Sequence, residues 1–190
     1  SELINRHRLE LVLAPHIREL GGSPALARLL ELRASELRML AMPLVAAVIE
    51  ISQHLDRAGI PCLVFKGVML AAQTTGDPLA RGTGDIDLLV APETVGATRQ
   101  ALASIGFRQP QGQSHRRLPA DLDNWRGRYA LWADYEDTLS RSNLDIDLHW
   151  AATDVRSAMP SFNTLWATRE PILLSGEPVP GLSLETALLH

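Results

Sequence analysis

Two short segments, Asp85-Ile-Asp-Leu-Leu-Val90 and Leu144-Asp-Ile-Asp-Leu-His-Trp150, constrain this chain more than any other feature. In each, acidic and aliphatic residues alternate. Only an extended strand puts residues i and i+2 on one face and the intervening residues on the other. The alternation therefore predicts two strands, each carrying a pair of carboxylates on one side and apolar side chains on the other. Two like charges at strand spacing repel unless something cationic lies between them. The flanking residues Ile86 and Leu88 to Val90 read as buried, so the acids stand at the edge of a core, where unpaired charge is expensive.

The segments around these strands read mostly as helices and turns. Leu9, Leu13, Ile17 and Leu20 recur at helical spacing until Gly21-Gly22 stops the run. Ser23-Pro24 then has the form of an N-cap with proline in the first turn. From Ala25 the spacing Leu26, Leu29, Leu30, Leu37, Leu40, Leu44, Val45, Val48, Ile49, Leu55 predicts a long helix with a break or kink near Pro43, ending at Ala58-Gly59. Pro61 to Phe65 predicts a buried strand, Val68 to Gln73 a helical turn, and Pro92 to Ile105 a helix stopped by Gly106. The tail predicts a β-hairpin around Ser175-Gly176-Glu177 and a capped helix beginning at Ser183. The expected fold class is α+β: a small mixed sheet bearing the acids, flanked by helices, with an N-terminal helical segment. The expected division is an N-terminal helical segment at 1–58, a core at 59–182, and at 183–190 the start of a C-terminal helix that continues past the chain end.

Composition narrows the function classes. Eighteen Lys and Arg against 22 Asp and Glu give a net charge of -4, so the totals do not advertise a nucleic-acid binder. The single cysteine, Cys62, sits in an apolar run, reads as a buried strand residue, and fits a reducing compartment. No apolar run approaches the roughly 20 residues that span a bilayer, and the first residues lack a signal-peptide pattern. The expectation is a cytoplasmic protein with no membrane partner.

The chemistry concentrates between residues 66 and 87. Hard divalent cations take oxygen ligands, commonly one or two carboxylates plus substrate phosphates, and Asp85 with Asp87 offers such a pair. Asp145 and Asp147 form a second pair, with His149 on the same face. A third carboxylate on a neighbouring strand is what a two-metal phosphoryl-transfer site needs. Lys66-Gly67, at a strand end, adds a point charge and an open backbone turn suited to phosphate. Arg81-Gly82-Thr83-Gly84 adds another cation and a hydroxyl, although Arg81 could equally pair with Asp77 or Asp85. His115-Arg116-Arg117 and the stretch Trp125 to Trp132 mix cations and aromatics, as a phosphate-contacting surface would. Interleaved Asp121, Asp123 and Asp134 favour a solvated, salt-bridged segment instead. His149 reads either as a hydrogen-bond partner of Asp147 or as a structural residue beside Trp150.

The run Ile60-Pro-Cys-Leu-Val-Phe-Lys-Gly-Val-Met-Leu-Ala71, followed by Asp77-Pro-Leu-Ala-Arg-Gly-Thr-Gly-Asp-Ile-Asp-Leu-Leu-Val90, resembles the polymerase-beta-like nucleotidyltransferase superfamily. It is most similar to a bacterial group with a Lys-Gly turn, an Arg shortly before Asp-Ile-Asp-Leu-Leu-Val, and a later Asp-Leu-His-Trp strand, here Asp147 to Trp150. The resemblance implies that Asp85 and Asp87 bind Mg2+ or Mn2+, with Asp147 as third carboxylate and Asp145 as its rival. It implies that Lys66, Gly67, Arg81 and Thr83 hold a nucleoside triphosphate. The superfamily usually has Ser or Gly after the turn glycine; this chain has Val68, which leaves the phosphate-binding role to Lys66 or Thr83.

The implied activity is metal-dependent transfer of a nucleotidyl group from a nucleoside triphosphate to an acceptor hydroxyl on a small molecule, a peptide or protein, or an RNA. Two alternatives stand beside it. One is a catalytically inactive nucleotide-binding module of the same fold. The other is a toxin or tailoring enzyme that modifies protein, peptide or tRNA.

Overall fold

The two acid-bearing segments are adjacent strands of one sheet in the computed structural model, which describes residues 10–81, 84–110, 118–153 and 159–189. Strands β1 (Cys62–Phe65), β2 (Asp85–Val90), β3 (Glu136–Arg141), β4 (Leu144–His149), β5 (Glu170–Leu174) and β6 (Glu177–Gly181) lie in the order β3-β4-β2-β1-β6-β5. The sheet is mixed. β2 runs parallel to β4 and β1 parallel to β6, while the other neighbours are antiparallel. The described helices are α1 (Glu10–Leu13), α2 (Pro24–Arg57), α3 (Gly67–Thr75), α4 (Val95–Ser104), α5 (Trp125–Ala133), α6 (Phe162–Ala167) and α7 (Leu184–Leu189). The α+β class and the mixed sheet are thus as the alternation and helical spacing predict. None of these helices is long and apolar enough to cross a membrane.

Helix α2 starts where the sequence signals it. Ser23 Oγ accepts the backbone N–H of Leu26 at 3.2 Å, and Pro24 occupies the first turn. The helix continues through Pro43 as one element. Proline cannot donate to the carbonyl four residues back, and that carbonyl belongs to Met39, whose neighbourhood (Met39, Leu40, Met42) is exposed to water. Beyond Pro43, Leu44, Val45, Val48, Ile51 and Leu55 are buried in one cluster with Val64, Ile86, Leu88, Val90, Ile146 and Leu148. Full burial of each such side chain contributes about 1.5–3 kcal/mol, which fixes α2 across the apolar face of the central strands. Arg141 at the end of β3 secures the same contact with a two-pronged ion pair to Glu50 at 2.6 and 2.9 Å.

The opposite face of the sheet is divided. Leu63, Phe65 and Leu89 pack with Ala91, Ala152, Phe162, Leu165 and Leu182 in a second, smaller cluster. The rest of that face carries the acids. The hairpin between β5 and β6 turns at Ser175 and Gly176, both with positive φ (51° and 89°), the backbone of a hairpin turn matched to strand twist.

Four elements differ from expectation, one of them α6, capped by Ser161 in a tail that predicts only a hairpin and a final helix. Among the described residues, the helical spacing from Leu9 to Leu20 gives α1 at Glu10–Leu13, followed by turns, because Pro15 disfavours helical backbone at Ala14 and supplies no N–H donor of its own. Strand β3 occupies a stretch without clear alternation. Helix α5 occupies one with two prolines upstream and no apolar stripe, capped by Asn124, whose side chain accepts from Gly127 N at 3.0 Å.

Gly127 is the tightest point of that helix. A β-carbon there would lie 2.3 Å from Leu122 Cα and 2.5 Å from the Asp121 carbonyl oxygen. Both are backbone atoms that cannot step aside by a rotamer change. Gly127→Ala is expected to cost about 1–3 kcal/mol, lowering Tm by roughly 2–4 °C per kcal/mol for a chain of this size. Thermal melting followed by circular dichroism checks this.

Candidate active site

The pairing of β2 with β4 decides which side chains meet. The register sets Asp85 beside Asp145, Asp87 beside Asp147, and Leu89 beside His149. On the outer side, β3 places Ser140 opposite Asp145, Thr138 opposite Asp147 and Glu136 opposite His149. On the inner side, Phe65 at the end of β1 faces Asp87. Parallel pairing of two alternating strands therefore gathers every acid of both motifs on one face, with the aliphatic residues behind them.

Asp87 is the hub. It is only 7% exposed, and its Oδ1 receives both Lys66 Nζ at 3.2 Å and His149 Nε2 at 3.1 Å. Burial works to raise its pKa, but the hydrogen bond from His149 and the charge of Lys66 outweigh that and hold the carboxyl below its usual range. Asp147 is a contrasting case. Thr138 Oγ1 donates to its Oδ1 at 2.9 Å, yet burial and the charges of Asp85 and Asp87 push its pKa up. Glu136 is likewise raised, chiefly by burial. Asp85 and Asp145 are exposed, and Asp145 accepts from Ser140 Oγ at 2.6 Å.

Lys66 reaches Asp87 from an unusual backbone. Its φ is 60° and ψ is -155°, followed by Gly67 at φ 37°. A non-glycine residue there costs on the order of 1–3 kcal/mol and persists only where its surroundings enforce it. The turn delivers the chain directly into α3, whose first turn has no side-chain cap. The N–H groups of such a turn, with the helix dipole behind them, suit an anion. Val68 is buried in the main core against α2, so the residue after the turn glycine packs and does not face a ligand.

Of the other sequence candidates, Arg81 is exposed and Asp77 pairs with Arg38 at 3.8 Å instead of with Arg81. Thr83 and His115-Arg116-Arg117 lie outside the described residues. Trp125, Tyr129 and Trp132 form an exposed face of α5, and Arg126 stacks over the Trp125 ring at 5.4 Å. Cys62 is buried as expected, which pushes its thiol up to about 12. Among the described residues, no three His, Cys, Asp or Glu side chains converge as they stand into a group that could hold a metal. Asp87 is engaged by Lys66 and His149 of the protein itself.

The sequence reading leaves His149 either a partner of Asp147 or a structural residue beside Trp150; the structure places its Nε2 on Asp87. The reason is Thr138, on a strand that reading did not contain, which takes the Asp147 oxygen. Glu136, Thr138 and Ser140 were missed for the same reason. The weak signal available was their own i, i+2, i+4 spacing.

This arrangement of a mixed sheet, a Lys-Gly turn opening a helix, and facing acids on parallel strands has the fold of nucleotidyltransferases. It is similar to the crystal structure of ANT(2")-Ia in complex with adenylyl-2"-tobramycin, with a TM-score of 0.50 at 18% identity, covering 77% of this chain and 73% of that one. The chain belongs to the family described as "Uncharacterised nucleotidyltransferase", which it matches over residues 1–190. No curated protein matches the sequence.

The opposed carboxyl shifts give a stability test. A carboxyl whose pKa falls on folding stabilises the protein above its unfolded pKa, and that contribution disappears as pH drops through the folded value. One whose pKa rises destabilises above the unfolded value. Asp87→Asn is therefore expected to lower Tm at pH 7, with the deficit shrinking on acidification below the ordinary carboxylate range. Asp147→Asn is expected to raise Tm at pH 7, with the gain vanishing at low pH. Melting curves of the three proteins from pH 7 to pH 3 check both signs.

Proposed function

We propose that this chain transfers a nucleotidyl group from a nucleoside triphosphate to an acceptor hydroxyl, with Mg2+ or Mn2+ held by Asp85, Asp87 and Asp147. The observation that carries the reading is the register: Asp147 lies directly opposite Asp87 on a parallel strand, and Lys66 reaches the same Asp87 from the phosphate-suited turn. The donor set fits a hard divalent cation. It is all oxygen, and Asp147, raised first by burial and then by the charges of Asp85 and Asp87, stands among acids whose repulsion a cation would offset. When bound, the ion supplies neutralisation of the triphosphate and of the charge that builds on the leaving pyrophosphate.

The chain's own residues do the rest. Lys66 and Arg81 neutralise phosphate oxygens, and the N–H groups at the start of α3 donate hydrogen bonds to one of them. Asp147, shifted upward by burial and so a better proton acceptor near neutral pH, takes the proton from the acceptor hydroxyl. The acceptor oxygen bonds to the α-phosphorus as the bond from that phosphorus to the bridging oxygen breaks, and pyrophosphate leaves. Asp147 is preferred over Asp145 because Asp145 stands opposite the exposed Asp85, one pair further from Asp87 and Lys66.

A non-catalytic nucleotide-binding module of the same fold is the second reading, favoured by the buried Val68 where a phosphate-contacting hydroxyl is usual. One assay separates the two. The protein is incubated with α-labelled nucleoside triphosphates and Mg2+ or Mn2+ beside three acceptor classes: aminoglycosides, protein and tRNA. Label transfer with stoichiometric pyrophosphate release to one class is expected, reduced at least about 100-fold in Asp87→Ala. Binding of triphosphate with no transfer to any class supports the module. Metal-dependent ATP binding that survives Asp87→Ala, measured by calorimetry, overturns the metal assignment itself.

A further inference from the structure

We infer that His149 is a positioning residue that acts through Asp87, holding one carboxylate oxygen so that the other is presented to the metal. The inference rests on the metal site proposed above. Four observations support it. His149 is buried, with its side chain 3% exposed, although nothing in the packing of a strand requires a histidine there. Its Nε2 lies 3.1 Å from Asp87 Oδ1, and Lys66 Nζ also binds Oδ1, so neither partner uses Oδ2. Two aromatic rings contact it: Phe65 in a T-shaped arrangement at 5.2 Å, and Tyr135 stacked at 6.1 Å and 24°. Its Nδ1 is buried without a hydrogen bond, 3.4 Å from Glu136 Oε2.

The geometry has a chemical consequence. A carboxylate accepting from Nε2 requires a proton on Nε2, so the Asp87 contact makes that nitrogen a donor. A buried imidazole in contact with two aromatic rings then sets the torsion of the Asp87 side chain. Lys66 cannot do this. It is a flexible, 38% exposed side chain and the residue that would turn to the phosphates. When it leaves, His149 remains as the donor on Oδ1. Outer partners that orient a metal-binding carboxylate commonly contribute 10–100-fold in metal affinity or activity, order-of-magnitude values for such contacts. The sequence places His149 two residues beyond Asp147 on the same face, but its role follows from the register, which carries it past its own strand to the carboxylate of the next.

The test uses Mn2+ alone and Mn2+ with a nonhydrolysable ATP analogue, with metal affinity read by electron paramagnetic resonance and folding by thermal melting. His149→Phe keeps the ring and removes the donor. It is expected to melt cooperatively and to lose roughly 10–100-fold in Mn2+ affinity, with no further loss when combined with Asp87→Ala. His149→Gln keeps an N–H donor and is expected to recover most of the affinity. It also decides the matter if the Phe variant does not fold: native Mn2+ affinity in the Gln variant supports the donor role, and loss of affinity with an intact melt overturns it. Unchanged affinity in folded His149→Phe overturns the positioning role while leaving the metal site standing. Failure of the unmodified protein to bind Mn2+ with the analogue overturns both.

Discussion

The parallel register of β2 against β4 is the constraint on which the rest of the molecule depends. It sets Asp87 beside Asp147, and it brings His149 within 3.1 Å of Asp87. A slip by one residue would turn the acids toward α2 and carry the core aliphatic residues of the slipped strand to the other face. The register is held by burial: Ile86, Leu88 and Val90 on one strand and Ile146 and Leu148 on the other share a single core with α2. The apolar half of each strand thus places the acidic half.

Against that background, the charges on the acidic face are unequal by design of their surroundings. Asp87 has two cationic or donor partners and is held ionised, while Asp147 has a neutral threonine and two acidic neighbours. Groups with similar chemistry pushed in opposite directions are a recurring mark of sites that divide binding from proton transfer. Lys66 links the two halves. Its strained backbone and its contact with Asp87 put one cation where both the carboxylate and an incoming phosphate could use it.

Much of this was legible in the sequence. The alternation in Asp85–Val90 and Leu144–His149 gives both acid strands and their faces, and the spacing from Ala25 to Leu55 gives α2. Cys62, the Ser175-Gly176 turn and the Ser23-Pro24 start follow from local chemistry. What was not legible depends on long-range pairing. β3 has an acid, Asp137, on its buried face, where Arg99 and Gln109 satisfy it, so no hydrophobic alternation marks it as a strand. Without β3, Thr138 is not known to occupy Asp147, and the sequence does not point His149 to Asp87. The α1 region failed for a local reason, because Pro15 outweighs the apolar spacing around it.

The most direct measurement of the central claim is a crystal structure of the protein with Mn2+ and a nonhydrolysable nucleoside triphosphate, with manganese located by anomalous scattering. The account predicts a manganese peak bounded by Asp85, Asp87 and Asp147. It also predicts that Lys66 turns from Asp87 to the phosphates while His149 stays on Asp87. Manganese bound elsewhere, or a triphosphate seated away from α3 with the Lys66–Asp87 pair intact, would contradict it.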